Sequence, residues 1–192
     1  MSAIQRSTMK PLPGYKSQEV ALFIAQMDDQ SRRLAEGTRE LTPAELEWQP
    51  RPGMNTIGML LAHIAIVEVF WTLVVLKKEP EPAIDHFLAV GADDDGMPLP
   101  EEGKPPANLS GKDLAYFDNL LARARTFLKE TAAGVLDGDL EHEIVRTRPD
   151  GTKRSVDVRW YFYHILEHLS GHFGQVLLLR HLYKASVVPA KV

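Results

Sequence analysis

Apolar residues recur at helical spacing in four long stretches of this chain, separated by segments rich in proline, glycine and charge. The first stretch follows Ser17, a good capping residue, and steps through Val20, Ile24, Met27 and Leu34 until Gly37 weakens it. Ahead of it, residues 1–16 are polar and proline-punctuated and are expected to form an extended arm. Thr42 then caps a short turn begun by Pro43, and Pro50, Pro52 and Gly53 stop its continuation, which makes this segment a connector with Trp48 as its anchor. A second helix is predicted over residues 55–78 and is apolar on most faces, the pattern of an element buried at the centre.

Between residues 79 and 108 lie six prolines, three glycines and the acidic run Asp93-Asp94-Asp95, with one short helical turn expected over residues 84–90. A loop of that length is usually functional or mobile, and it lets the third helix run parallel to the second. The third helix is expected to start in a capping-box-like Ser110…Asp113. It then presents Leu114, Phe117, Leu121, Ala124, Leu128, Thr131 and Val135 on one face. Residues 142–158 alternate β-branched and charged residues around Pro149-Asp150-Gly151, a hairpin signal that leads into a fourth helix near Asp157. The expected architecture is all-α: one domain spanning residues 1–192, built as a four-helix bundle. A long crossover joins helices 2 and 3, and a small β-hairpin precedes helix 4.

Composition narrows the function classes. The chain has 192 residues, no cysteine and a net charge of −4. Disulfides and thiolate ligands are therefore absent, so any metal must be held by His and carboxylates, and a reducing compartment fits. Its densest basic cluster, Arg146, Arg148, Lys153 and Arg154, surrounds a turn and reads as a solvated hairpin, so no nucleic-acid partner is expected. With no apolar leader at the N-terminus and no stretch reaching about 18 apolar residues, no membrane partner is expected either, and the expected location is the cytoplasm.

The last helix carries the chemistry. His164, His168 and His172 stand four residues apart on one stripe, and random placement of the chain's seven histidines would produce such a triple about 0.01 times. Two adjacent members of the stripe can reach one ion, and a third ligand must come from elsewhere. His63, inward-facing on the second helix with Leu60, Val67 and Phe70, is the favoured partner, whereas His86, His142 and His181 read as surface or boundary residues.

The blocks LTPAELEWQPRPGMNTIGMLLAHIAIVEVFW, RSVDVRWYFYHILEH and HLSGHFGQVLLLRHL together resemble the DinB/YfiT-like family of metal-dependent enzymes. That family's pattern has one His on the second helix and HxxxH followed by Gly-Gln on the last. In this chain the pattern falls on His63, His168 and His172, with Gly174-Gln175 after them; Phe173 stands where relatives commonly have Arg. The resemblance implies an up-down-down-up bundle, a divalent ion such as zinc or nickel, and a homodimer. It also implies S-transfer or isomerisation of a small-molecule substrate with a low-molecular-weight thiol.

On chemical grounds, a divalent ion on three neutral imidazoles keeps an open position and acidifies a bound water or thiol. Transfer of an external thiol is the leading reading, with metal-dependent hydrolysis and a non-catalytic, metal-binding stress-response role as alternatives. Gln175 and Arg180, near the ligand stripe, are candidates to orient the substrate or hold its carboxylate, and His164 is the acid/base candidate. Glu68 is a poor base for His63 on an ideal helix but a candidate to steady its imidazole N–H. Trp71, Trp160 and Tyr161 are candidate pocket walls.

Overall fold

Ser17 caps the first helix as its position predicts: its hydroxyl accepts the Val20 amide at 3.2 Å, and α1 runs Gln18–Thr38. The computed structural model describes residues 7–79, 82–147 and 150–187. Residues 7–16 of the expected arm form no helix or strand. They are nevertheless held, Leu12 donating to the Ala21 carbonyl and Lys16 to that of Ala133, while residues 1–6 lie outside the described residues. Thr42 and Glu45 close a reciprocal capping box on the short α2 (Pro43–Glu47), and Trp48 anchors the connector edge-on against Tyr183, with ring centroids 5.6 Å apart.

The next helix, α3 (Ile57–Trp71), starts two residues later than the pattern suggests, because the Thr56 hydroxyl caps it by accepting the Met59 amide. It continues through a π-helical turn, Thr72–Leu76, and is apolar all round. The run Ile57–Leu76 in fact has the length and mean hydropathy (2.3) of a membrane span, which corrects the expectation that no stretch reaches that limit; 72% of it is buried inside the protein. A central core helix passes the same test for the same physical reason, since it too is surrounded by apolar atoms. The long segment after it contains α4 (Asp85–Leu88) and a 3-10 turn, Ala107–Leu109, and is packed down by buried Ile84, Leu88, Val90 and Leu109; Pro80, the expected helix stop, lies outside the described residues.

The third long helix, α5 (Leu114–Ala132), is capped by Asp113, which accepts the Tyr116 amide at 3.0 Å. Ser110 has no part in the cap. Gly111, at φ +71°, turns the chain away from helical geometry, and the Ser110 hydroxyl and Gly111 amide both donate to Glu47 instead. The fully buried face of α5 is Phe117, Leu120, Ala124, Leu128 and Ala132 rather than the strict 3-4 alternation through Leu121 and Thr131. A straight α-helix drifts about 20° per heptad from a 3.5-residue period, which moves the stripe in this way.

The chain then forms the antiparallel hairpin β1 (Glu143–Thr147) and β2 (Lys153–Asp157), with Ile144 opposite Val156 and Arg146 opposite Arg154; the turn's Pro149 lies outside the described residues. Last comes α6 (Val158–Val187), whose first turn is capped by Asp157 accepting the Trp160 amide at 2.6 Å. The fold is thus mostly helical with one two-stranded hairpin. Helix α3 packs against both α5 and α6, and α1 packs against α6.

A buried ion pair ties α3 to α5. The Arg125 guanidinium donates to both carboxylate oxygens of Glu68 at 2.7 and 2.8 Å, with Asp28 of α1 3.6 Å from its third nitrogen. Next to it, the wholly buried Tyr161 hydroxyl stands 2.7 Å from that of Thr72, which itself donates to the Glu68 carbonyl, so Tyr161 is the donor between them. Breaking such a pair on one side leaves an uncompensated buried charge. Arg125→Met is expected to cost about 3–5 kcal/mol in urea denaturation, while the double variant Glu68→Leu/Arg125→Met recovers most of that loss.

Candidate metal centre

His63 leaves the middle of α3 toward α6, and His168 and His172 leave α6 one turn apart toward α3. The three rings meet at the seam: His168 Nε2 is 3.1 Å from His63 Nε2 and 3.0 Å from His172 Nε2. One nitrogen from each ring falls in a group whose members all lie within 4.8 Å of one another. All three side chains are half-buried, open enough for a ligand to approach yet shielded from bulk water.

Proton bookkeeping decides what this cluster can hold. His63 Nδ1 lies 2.8 Å from Asp95 Oδ2, and His172 Nδ1 lies 2.7 Å from Gln175 Oε1. A carboxylate and an amide oxygen accept, so each of those Nδ1 atoms carries the proton, and the Nε2 atoms of His63 and His172 present lone pairs. His168 is held neutral, its pKa pushed down to about 3 by burial first and then by the neighbouring His172, His63 and His164 rings. Burial lowers the pKa of His172 as well, with Gln175 opposing. At most one proton can be shared among the three converging Nε2 atoms. A divalent cation satisfies all three at once, and ideal tetrahedral ligands at about 2.0–2.1 Å from zinc would be about 3.3 Å apart. The donor set therefore fits such an ion.

Asp95 was not legible as a site residue in the sequence. It comes from the long proline-rich segment, is 2% exposed, and sits 32 residues from the His63 it supports. Its other oxygen accepts the Met97 amide at 2.9 Å, and Asp94 fixes the same loop by accepting the Gly91 amide and, through its carbonyl, the Asn108 side chain. The only hint was an acidic triplet in a long loop. Glu68, weighed above for steadying His63, instead faces Arg125 because it lies on another side of α3.

The remaining candidates occupy distinct places. His164, one turn before His168, is held by Glu167 at 3.0 Å, stacks on Trp160 at 4.6 Å between centroids and meets Trp71 edge-on. Its ring centroid is 5.6 Å from that of His168, beside the triad rather than in it. Arg180 donates to the carbonyls of Gly37 and Arg39 at the end of α1. Phe173 packs over Gly37, where a Cβ would stand 2.8 Å from its ring. Trp71 and Trp160 are half-exposed, but Tyr161 is core and walls no pocket. His86, His142 and His181 are exposed. A cavity of about 1040 Å³ lies at the hairpin end, between the π-helical turn, β1 and Val158; Val158 is ten residues from His168, roughly 15 Å along α6.

Comparison with known proteins follows the same geometry. The family model of the DinB superfamily matches residues 26–176, a span that includes all three histidines and Asp95. Nothing among curated proteins matches. A solved structure of a conserved protein from Enterococcus faecalis superposes with a TM-score of 0.63 at 16% identity, covering 85% of this chain and 96% of that one, which is a likeness of fold.

Two outcomes are expected. Asp95→Ala removes the acceptor that fixes the His63 tautomer, and titration with a metal indicator should register an affinity for zinc about 10–100-fold weaker. The second concerns pH. Because the folded pKa of His168 is depressed, the unfolded chain binds the proton more readily, so its contribution to stability is present above about pH 6.5 and is lost as pH falls from there toward about 3. Urea midpoints of metal-free protein should fall over that window, and less steeply in His168→Gln.

Proposed function

The chain belongs to the DinB superfamily, and on that premise we propose that it is a metal-dependent enzyme that transfers a low-molecular-weight thiol to a small substrate. The observation that carries this reading is the convergence of three imidazole Nε2 atoms, with at most one proton among them, backed by a buried carboxylate. His63, His168 and His172 would hold a divalent cation; imidazole donors suit zinc, nickel, iron and copper alike, and the family resemblance favours zinc or nickel. When bound, such an ion supplies Lewis acidity and an open coordination position.

The chain's own groups do the rest. The thiol must come from outside, since the protein has no cysteine. His164, its Nδ1 proton held on Glu167, presents Nε2 as a base one helical turn from His168. It takes the proton of the incoming thiol as sulfur bonds to the electrophilic carbon, and returns that proton to the departing group. Trp160 and Trp71 hold the His164 ring in place. Asp95 and Gln175 keep His63 and His172 in the Nδ1-protonated tautomer, and Arg180 locks α6 to the end of α1.

The same His164–Glu167 pair supports a second reading, hydrolysis, in which water replaces the thiol. The four long helices are read here as an up-down-down-up bundle with a long crossover, and the protein as a cytoplasmic homodimer. The net charge of −4 supports a small-molecule partner over nucleic acid.

Metal analysis of untagged protein tests the reading. About one equivalent of metal per chain is expected in wild type and less than a tenth of that in His168→Ala. A wild type that is metal-free and refuses both zinc and nickel would sink it. In loaded protein, His164→Ala should slow thiol consumption with an activated aryl chloride by about 10²-fold or more, whereas turnover that is indifferent to added thiol selects hydrolysis.

A further inference from the structure

The hairpin sets two arginines side by side on one face. Arg146 and Arg154 are directly opposite each other across the strands, on the face that also presents Ile144 and Val156 to the helices. Like charges at opposed positions repel. Neither has an ion-pair partner among the described residues; of the carboxylates around them Glu143 accepts the Ser155 hydroxyl, Asp157 caps α6 and Glu167 holds His164, while Glu79 and Asp139 line the same cavity as Arg146.

Both guanidiniums instead lie over rings. Arg146 stands 4.7 Å from the Phe70 centroid and 5.8 Å from that of Trp71, and Arg154 stands 4.4 Å from that of Trp160. Those rings begin a continuous aromatic stripe. Trp71 and Trp160 touch each other and both touch His164, and His164 touches His168, so half-buried rings line the whole way from the arginine pair to the three-histidine centre. Trp160 precedes His168 by eight residues and Trp71 follows His63 by eight, about 12 Å along either helix.

We propose that Arg146 and Arg154 are the anion-binding end of an extended substrate site whose reactive end is the three-histidine centre. The ligand is a small molecule with an apolar or planar middle that lies on Trp71 and Trp160, and a carboxylate or phosphate roughly 12 Å from the reacting atom. Two guanidiniums held on ring faces are preorganised to grip an oxyanion, and an anion between them removes their mutual repulsion. The proposal rests on the reading of the histidine centre as the reactive end. Its probe does not depend on metal.

Metal-free full-length Trp48→Phe protein, in which fluorescence reports Trp71 and Trp160, is titrated with 4-phenylbutyrate, phenyl phosphate and the neutral 4-phenylbutyramide. Saturable binding of at least one anion is expected, at least tenfold tighter than the amide and weakened by salt, and the tighter of the two anions identifies the group. Arg146→Gln/Arg154→Gln should weaken anion binding at least tenfold while metal content stays at the wild-type level. Amide binding as tight as the acid, undiminished anion binding in the double variant, or no saturable anion binding at all would overturn the proposal. If circular dichroism finds the double variant unfolded, the comparison of acid with amide and the salt dependence in Trp48→Phe protein decide. Anion binding that persists in a protein unable to take up zinc or nickel counts against the metal reading alone.

Discussion

Three imidazole Nε2 atoms pointing at one spot make an arrangement that a protein does not adopt for stability. Each lone pair is an acceptor in need of a donor, and packing them at about 3 Å with at most one proton among them wastes polar capacity in a half-buried place. The surrounding structure over-determines the cluster. Helix α3 is buried over most of its surface and α6 is packed against both α1 and α3, so the two helices that carry the histidines cannot slide apart to relieve it. The Arg125–Glu68 pair fastens α3 to α5, and Phe173 on Gly37 with Arg180 on the end of α1 fastens α6 from the other side.

Polarity is graded along the seam. At one end the buried Asp95 carboxylate sits behind His63 and favours a cation in front of it. The middle is aromatic, with His164 set among Trp71 and Trp160. At the other end stand two arginines on the hairpin with no carboxylate partner among the described residues. A three-imidazole cluster and an arginine pair separated by rings would suit an elongated ligand that is reactive at one tip and charged at the other. Membership of the DinB superfamily covers the helices that build this seam, since the match extends over residues 26–176. The likeness to the Enterococcus faecalis protein concerns the fold; the chemistry belongs to this chain's side chains.

The long segment between α3 and α5 changes character once folded. By composition it is a proline-rich loop with one short helical turn, yet it buries Ile84, Leu88, Val90 and Leu109 in the core and seals against the earlier connector, where Gly53 donates to the Gly103 carbonyl. Gly53 is at φ +80°, and a Cβ there would collide with the Glu101 carbonyl, so the close approach requires glycine. The consequence is functional, because that packing delivers Asp95 to His63.

What the sequence determined by itself is what depends on periodicity and local chemistry. Helical spacing predicts the long helices, and Ser17 and Thr42 announce the caps of α1 and of the short α2 because a side-chain cap involves neighbours only three residues away. The 164-168-172 stripe exposes a ligand pair because residues four apart on a helix must be adjacent in space. Tertiary structure decided the rest. Which buried acid serves His63, Asp95 or Glu68, turns on a loop path of 32 residues and on the direction one side chain takes from α3, and no local rule encodes either. Arginines that read as a solvated turn became a charged pair above an aromatic stripe only when the hairpin folded against α3 and α6, since strand register and helix packing place groups that lie far apart in the chain.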